Sequence, residues 1–193
     1  MFEKNKSTFQ GIYRGKVLDN IDPDKYGRIK VQVYPVFASI TDATALPWAT
    51  PAQPIFDGAG TGKGAFIVPK IGSFVFVFFE AGDIYQPVYF AEAQDAIHGL
   101  PASRTTSYPN RKVWASDGIE IYIDDTTKEV KITHPTGTYV KMDNTKEIKI
   151  AQAGGAYIKI DAAGKITLYT PDDVLVESAK NITIKGVTVQ INP

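Results

Sequence analysis

Several groups of residues in this chain have types and spacings that chemistry could use. The stretch Asp57-Gly58-Ala59-Gly60-Thr61-Gly62-Lys63-Gly64 has the look of a phosphate cradle. Such a cradle needs a glycine five positions before Gly62, a hydroxyl residue after Lys63 and the N-terminus of a helix to supply amides. Those positions hold Asp57 and Gly64, and a strand pattern ending at Pro69 follows, so the stretch reads as a flexible loop between strands. The pairs Asp124-Asp125 and Asp172-Asp173 supply the residue type of glycoside hydrolysis. That reaction requires two carboxylates flanking a cleft, whereas these pairs sit where Asp favours a bend and solvent. Histidine is limited to His98 and His134, and no Ser/His/Asp arrangement emerges. The absence of cysteine removes thiol nucleophiles, disulfides and zinc-finger spacings. The expectation is a protein with no catalytic residue and no cofactor, not an enzyme.

Composition narrows the classes further. The chain has 193 residues, room for one or two modest domains. Lys+Arg and Asp+Glu both total 21, so the formal net charge is zero and the basic excess usual for nucleic-acid binding is missing. Met1 to Gln10 is polar and charged, which predicts no secretory signal. The longest apolar run, Phe74 to Phe79, is strand-sized, far from the roughly 20 residues that span a bilayer.

The elements around these residues are dominated by a repeat. From Val130, apolar residues recur every eighteen positions at Ile148, Ile166 and Ile184, and Ile132, Ile150 and Leu168 keep the same step. A second series offset by half a repeat runs Val140, Ile158, Val176, with Tyr139, Tyr157 and Leu175 beside it. Within each segment apolar and polar residues alternate, as in Tyr157-Ile158-Lys159-Ile160, the mark of strands with one buried face. Fixed-period self-similarity means a stacked array, here a long, rigid all-β shaft.

The N-terminal part reads as short strands and turns. Strands are predicted at Gly11 to Leu18, Gly27 to Tyr34, Gly64 to Pro69, Ser73 to Glu80 (buried on both sides) and Pro87 to Ala91. Asn20-Ile21-Asp22-Pro23-Asp24 and Ala81-Gly82-Asp83 read as turns. Several strands with no helical period suggest a small closed or partly open barrel, which leaves no exposed edge. The predicted organisation is a barrel over 1–93, an extended linker over 94–117 with a short helix possible around Glu92 to Ile97, and the repetitive shaft over 118–193.

Both halves resemble one family. Tyr13-Arg14-Gly15-Lys16-Val17 leading to Asp22-Pro23-Asp24-Lys25-Tyr26-Gly27-Arg28-Ile29-Lys30-Val31 is similar to the opening hairpin of the OB-fold in contractile-tail spike proteins. These are the phage baseplate central spikes and the VgrG-type spikes of bacterial injection systems. The likeness continues through Leu46-Pro47-Trp48-Ala49, Pro69-Lys70-Ile71-Gly72-Ser73-Phe74-Val75-Phe76-Val77, Glu80-Ala81-Gly82-Asp83 and Gln86-Pro87-Val88-Tyr89. An OB barrel followed by a repetitive β-shaft is that family's plan.

The resemblance implies an OB-fold followed by an intertwined trimeric β-helix, a triangular prism built from repeats of ~18 residues. A single narrow strand pair cannot bury its apolar face alone. Three copies around an axis bury it, in layers expected at Ile121 and Ile123, Val130 and Ile132, Val140 and Met142, Ile148 and Ile150, and Ile158 and Ile160. The layers continue at Ile166 and Leu168, Val174 and Val176, Ile182 and Ile184, and Val187 and Val189. Each fully buried Ile or Val contributes roughly 1.5–3 kcal/mol. The implied function is a structural, non-enzymatic central spike of the virion tail baseplate, or an equivalent injection particle, that punctures the target envelope when the sheath contracts. The implied partners are two further copies of the chain, a baseplate hub protein at the OB end, a PAAR-like tip protein at the C-terminal end, and the target membrane only on puncturing. Assembly in the bacterial cytoplasm is expected.

Departures from the family pattern matter too. Some spikes end in His-x-His, where three chains bind iron, but Val187-Thr188-Val189-Gln190-Ile191-Asn192-Pro193 has no histidine. His134 shares the inward parity of Val130 and Ile132, so three imidazoles could meet on the axis as a metal site, although Pro135 favours a turn there. The region between barrel and shaft is too short for a lysozyme module. Two other classes remain open at this point: an OB-fold oligonucleotide-binding module, with Tyr13, Tyr26, Tyr34, Phe66, Phe74 and Phe76 as its aromatics, and a trimeric surface-binding fibre. No nucleic acid is expected as a partner.

Overall fold

The computed structural model describes residues 9–57 and 61–190 and is all-β apart from short 3-10 turns. The expectations that rest on residues 1–8, on Gly58-Ala59-Gly60 and on Ile191-Asn192-Pro193 lie outside the described residues. Two compact units divide between Leu100 and Pro101. Among the described residues no helix is long and apolar enough to cross a membrane.

In the first unit, alternating residues build β1 (Tyr13–Asp19), β2 (Ile29–Tyr34), β3 (Trp48–Pro51), β4 (Phe74–Phe79) and β5 (Pro87–Glu92). They close into a barrel in the order β1-β2-β3-β5-β4, with β1 pairing β4 and only β3–β5 parallel. Val17, Ile29, Val31, Val33, Val75, Val77 and Phe79 fill the interior, joined by Phe37, Leu46, Ala49 and Tyr89. The Tyr89 hydroxyl donates to the Gly27 carbonyl at 2.6 Å, which satisfies the one polar atom of a ring in the core. Gly15 is required by packing: a Cβ there would stand 2.4 Å from Val31 Cγ1.

The β1–β2 loop is fixed by a single carboxylate. Asp22 accepts from the amides of Asp24 (3.1 Å), Tyr26 (2.9 Å) and Arg28 (3.2 Å), and from Arg28 Nη2 (2.6 Å). The Arg28 guanidinium, helped by those amides, holds the Asp22 carboxyl well below the usual carboxylate range. Thus the Asp-Pro-Asp turn read from the sequence is a hydrogen-bonded loop closure.

Three expectations for this unit are corrected. Gly64 to Pro69 is not a strand: Ile67 exchanges hydrogen bonds with the Gln53 side chain (2.7 and 3.2 Å), so an amide side chain stands where a neighbouring strand would. Ser73 to Glu80 is not buried on both sides, because Val75, Val77 and Phe79 point inward while Phe74, Phe76 and Phe78 lie half-buried on the barrel exterior. Phe76 stacks there on Phe90 at 6.1 Å, with Arg14 5.8 Å from its centre. Glu92 to Ile97 forms no helix; β5 runs to Glu92, and the Asp95 carboxylate then accepts from the amides of Ile97 (2.8 Å) and His98 (2.9 Å).

In the second unit a seven-stranded antiparallel meander runs in chain order. Its strands are β6 (Arg111–Ser116), β7 (Ile119–Asp124), β8 (Glu129–Thr133), β9 (Tyr139–Met142), β10 (Ile148–Ala151), β11 (Tyr157–Ile160) and β12 (Ile166–Tyr169). β6 falls inside the stretch expected as extended linker, which also holds a 3-10 turn at Ala102–Thr105. Asp117 and Gly118, both at positive φ (49° and 81°), fold β6 back on β7 in a two-residue turn suited to antiparallel twist. The intertwined helix is likewise not what one chain makes: each strand through β12 pairs with its sequence neighbours. Among the described residues no strand follows Tyr169, so Val174, Val176, Ile182, Ile184, Val187 and Val189 lie in irregular, exposed chain.

Candidate functional site

Strand register turns the sequence repeat into geometry. Each of β7 to β12 contributes two apolar residues to one face of the meander, and pairing sets them in two columns. One column runs Ile123, Val130, Met142, Ile148, Ile160, Ile166, and the other Ile121, Ile132, Val140, Ile150, Ile158, Leu168. A half-repeat of nine residues, one strand plus one turn, is what keeps every strand in phase. The face is uncovered: Val130 is 36% exposed, Ile150 50% and Ile166 70%. Contiguous exposed apolar surface of this extent is the mark of an interaction site.

Sequence reasoning missed the start of this face. Trp114, 76% exposed, pairs with Ile121 and heads the second column, while Lys112 pairs with Ile123 and heads the first. The signal available was Lys112-Val113-Trp114-Ala115, an alternation short enough to be absorbed into a polar linker.

The β6–β7 hairpin is anchored by a carboxylate of its own. Asp124 is fully buried and accepts from Arg111 Nε at 2.9 Å and from the amides of Thr126 (2.9 Å) and Thr127 (3.2 Å). The Ser107 hydroxyl, then Arg111 and those amides, hold its carboxyl well below the usual range. Arg111 lies over the Tyr122 ring at 4.1 Å, and burial pushes the Tyr122 hydroxyl up to about 12. Asp124 is therefore a structural anchor, and Asp125 instead binds Lys112 at the adjoining turn.

The opposite face carries Lys131, Lys141, Lys149 and Lys159 in a third column and Tyr139, Ala151, Tyr157 and Tyr169 in a fourth. Lys131 Nζ lies 4.6 Å from the Tyr139 centre and Lys149 Nζ 4.7 Å from the Tyr157 centre. Lys141 binds Asp143 (2.8 Å) and Glu147 (3.2 Å), and Asp143 before Glu147 keeps the ammonium charged well above the usual lysine range.

His134 sits in the turn after β8, where its Nδ1 accepts from the Thr136 amide at 3.3 Å, close to the Thr136 hydroxyl at 2.8 Å. His98 lies against the Asp95 carboxylate (Nδ1 to Oδ1 3.0 Å) and packs on Phe74 at 4.8 Å, beside a hollow of about 320 Å³ that Ser73 and Glu92 also line. Asp172 lies in a bend after β12, and Asp173 follows it in irregular chain. Among the described residues no group of three or more His, Cys, Asp or Glu is placed to hold a metal ion.

Residues 13–92 match the family described as the type VI secretion system/phage-baseplate injector OB domain. The match starts on the first residue of β1 and ends on the last of β5, so it covers the closed barrel and stops before the meander. Among curated proteins none matches the chain.

Proposed function

We propose, from a barrel that belongs to the injector OB family of phage baseplates and type VI secretion systems, that this chain is the structural central spike of a contractile tail. The observation that carries the reading is the pair of exposed apolar columns on the meander. A lone sheet with one bare apolar face is unstable in water, and a closed ring of three identical sheets is the simplest arrangement that buries all three faces. The trimer core then comprises Ile121, Ile123, Val130, Ile132, Val140, Met142, Ile148, Ile150, Ile158, Ile160, Ile166 and Leu168, with Trp114 added at its head.

Beyond Tyr169 the assembly changes character. Val174, Val176, Ile182, Ile184, Val187 and Val189 keep the strand alternation without strand partners among the described residues. Backbone amides and carbonyls need partners when buried, so the other two copies supply them and the chains intertwine toward the tip. The meander is a rigid prism of three self-paired sheets, and the tip is a true three-chain winding. Such a shaft transmits axial force through the envelope when the sheath contracts, with no chemistry required. Its barrel end docks on a baseplate hub, and its C-terminal end carries a small conical tip protein.

The test is microscopy of injection particles assembled with an affinity-tagged copy. Label at the centre of the baseplate is expected, and particles lacking the chain should contract without permeabilising target cells. Label elsewhere on the particle, or full permeabilisation without the chain, contradicts the reading.

A further inference from the structure

The face of the meander opposite the apolar columns sets four lysines in one line. Lys131 pairs with Lys141, Lys141 with Lys149 and Lys149 with Lys159, each on an adjacent strand. Neighbouring strands are about 4.8 Å apart, and like charges opposed at that distance destabilise a sheet. Two ammonium groups rest on tyrosine rings and one is held by carboxylates, as described above. Lys159 faces Thr167 on its other side. A column of like charge is favoured when an anion lies along it.

We infer that this column is a binding track for a linear anionic glycan, one bearing phosphate or carboxylate groups along its length. The neighbouring features choose among polyanions. Asp125, Asp143, Glu147 and Asp161 lie at the turns along the sheet edge beside the lysines. A planar anionic bilayer would press its charges against all of those carboxylates, whereas a thread on the column meets ammonium groups and, at Lys141 alone, the paired Asp143 and Glu147. Nucleic acid is disfavoured by the rings: single strands are held by bases stacked on aromatic faces. Here the face of Tyr139 is occupied by Lys131, that of Tyr157 by Lys149, and Tyr157 and Tyr169 stack on each other at 5.1 Å. Tyrosine hydroxyls remain to donate to and accept from sugar hydroxyls. Lysine, a compact hydrated point charge, suits phosphate or carboxylate without demanding a fixed approach.

The inference rests on the spike reading only in that trimer assembly turns this face outward. The probe is fluorescent dextran sulfate, titrated by anisotropy against the full-length protein, with solution mass recorded on the same samples. Binding that weakens with salt is expected, with none to neutral dextran. The triple variant Lys131→Gln/Lys149→Gln/Lys159→Gln should bind at least tenfold more weakly, and the corresponding Lys→Arg triple should bind like the parent. Lys159→Gln alone, which disturbs no ring or ion pair, should lose about threefold. Unchanged binding in the Gln variants overturns the track, as does tighter lysine-dependent binding to oligodeoxythymidylate or to phosphatidylglycerol vesicles. A monomeric mass with lysine-dependent binding intact supports the track and counts against the spike.

Discussion

The barrel and the meander are built from the same kind of strand and reach opposite ends. In the barrel, closure turns alternation into a sealed interior: Val17, Val33 and Val77 are 0% exposed. In the meander the same alternation leaves the isoleucines and valines of the columns 36–70% exposed, and its three buried residues, Tyr122, Asp124 and Ala151, lie off the apolar columns. One unit completes its core within the chain and the other leaves an apolar face uncovered. Adding a strand to a closed barrel spoils it, whereas adding one to an open meander only lengthens the sheet.

Breaking this contrast should produce effects of very different size. The largest is expected from Ile150→Asp, which places a charge between Val140 and Ile158 in the middle of a column. Complete loss of the oligomer with the barrel still folded is expected, read by solution mass and near-ultraviolet circular dichroism. Loss of barrel structure as well would mean that the two units are not independent. Ile29→Ala acts in the other core. It should cost about 2–5 kcal/mol of barrel stability in urea denaturation while leaving the oligomeric mass unchanged.

The next effect depends on pH. The carboxyl of Asp124 is lowered from the usual value of 3.8, so the folded state binds its proton less readily than the unfolded state. Its contribution is therefore present above about pH 4 and fades as pH falls further through the lowered folded value. Asp124→Asn should reduce the melting temperature at pH 7 and, because the parent loses this contribution in acid, narrow the difference between the two proteins below about pH 4. A constant difference across that range would place the role of Asp124 in packing alone. The smallest effect is spectroscopic: tryptophan emission should move to shorter wavelength on assembly as Trp114 leaves water, and Trp114→Phe should remove the shift. A shift that persists in that variant would belong to Trp48.

The same contrast explains what was legible in the sequence. Period-two alternation and the eighteen-residue step are carried by side chains, so the meander's phase and its two apolar columns could be read directly. Features set by hydrogen bonding between distant residues could not. Gly64 to Pro69 has a strand's composition, yet Gln53 rather than a strand meets Ile67. Arg111 to Ser116 has a linker's composition, yet the Asp124–Arg111 pair, thirteen positions apart, organises it into β6. Phe74, Phe76 and Phe78 look like core but lie on the barrel's exterior, because closure leaves a strand one inward face. Beyond Tyr169 the alternation is legible, yet among the described residues no strand pairs with it.

The most direct test of the central claim is the absolute mass of the full-length chain by light scattering after size exclusion, repeated after brief SDS treatment without boiling. Three sheets closing on one another give three times the chain's 21.1 kDa, with the oligomer surviving detergent. A species of 21.1 kDa, stable and folded, would mean that the apolar face stands open in solution, and the account of the shaft would fail.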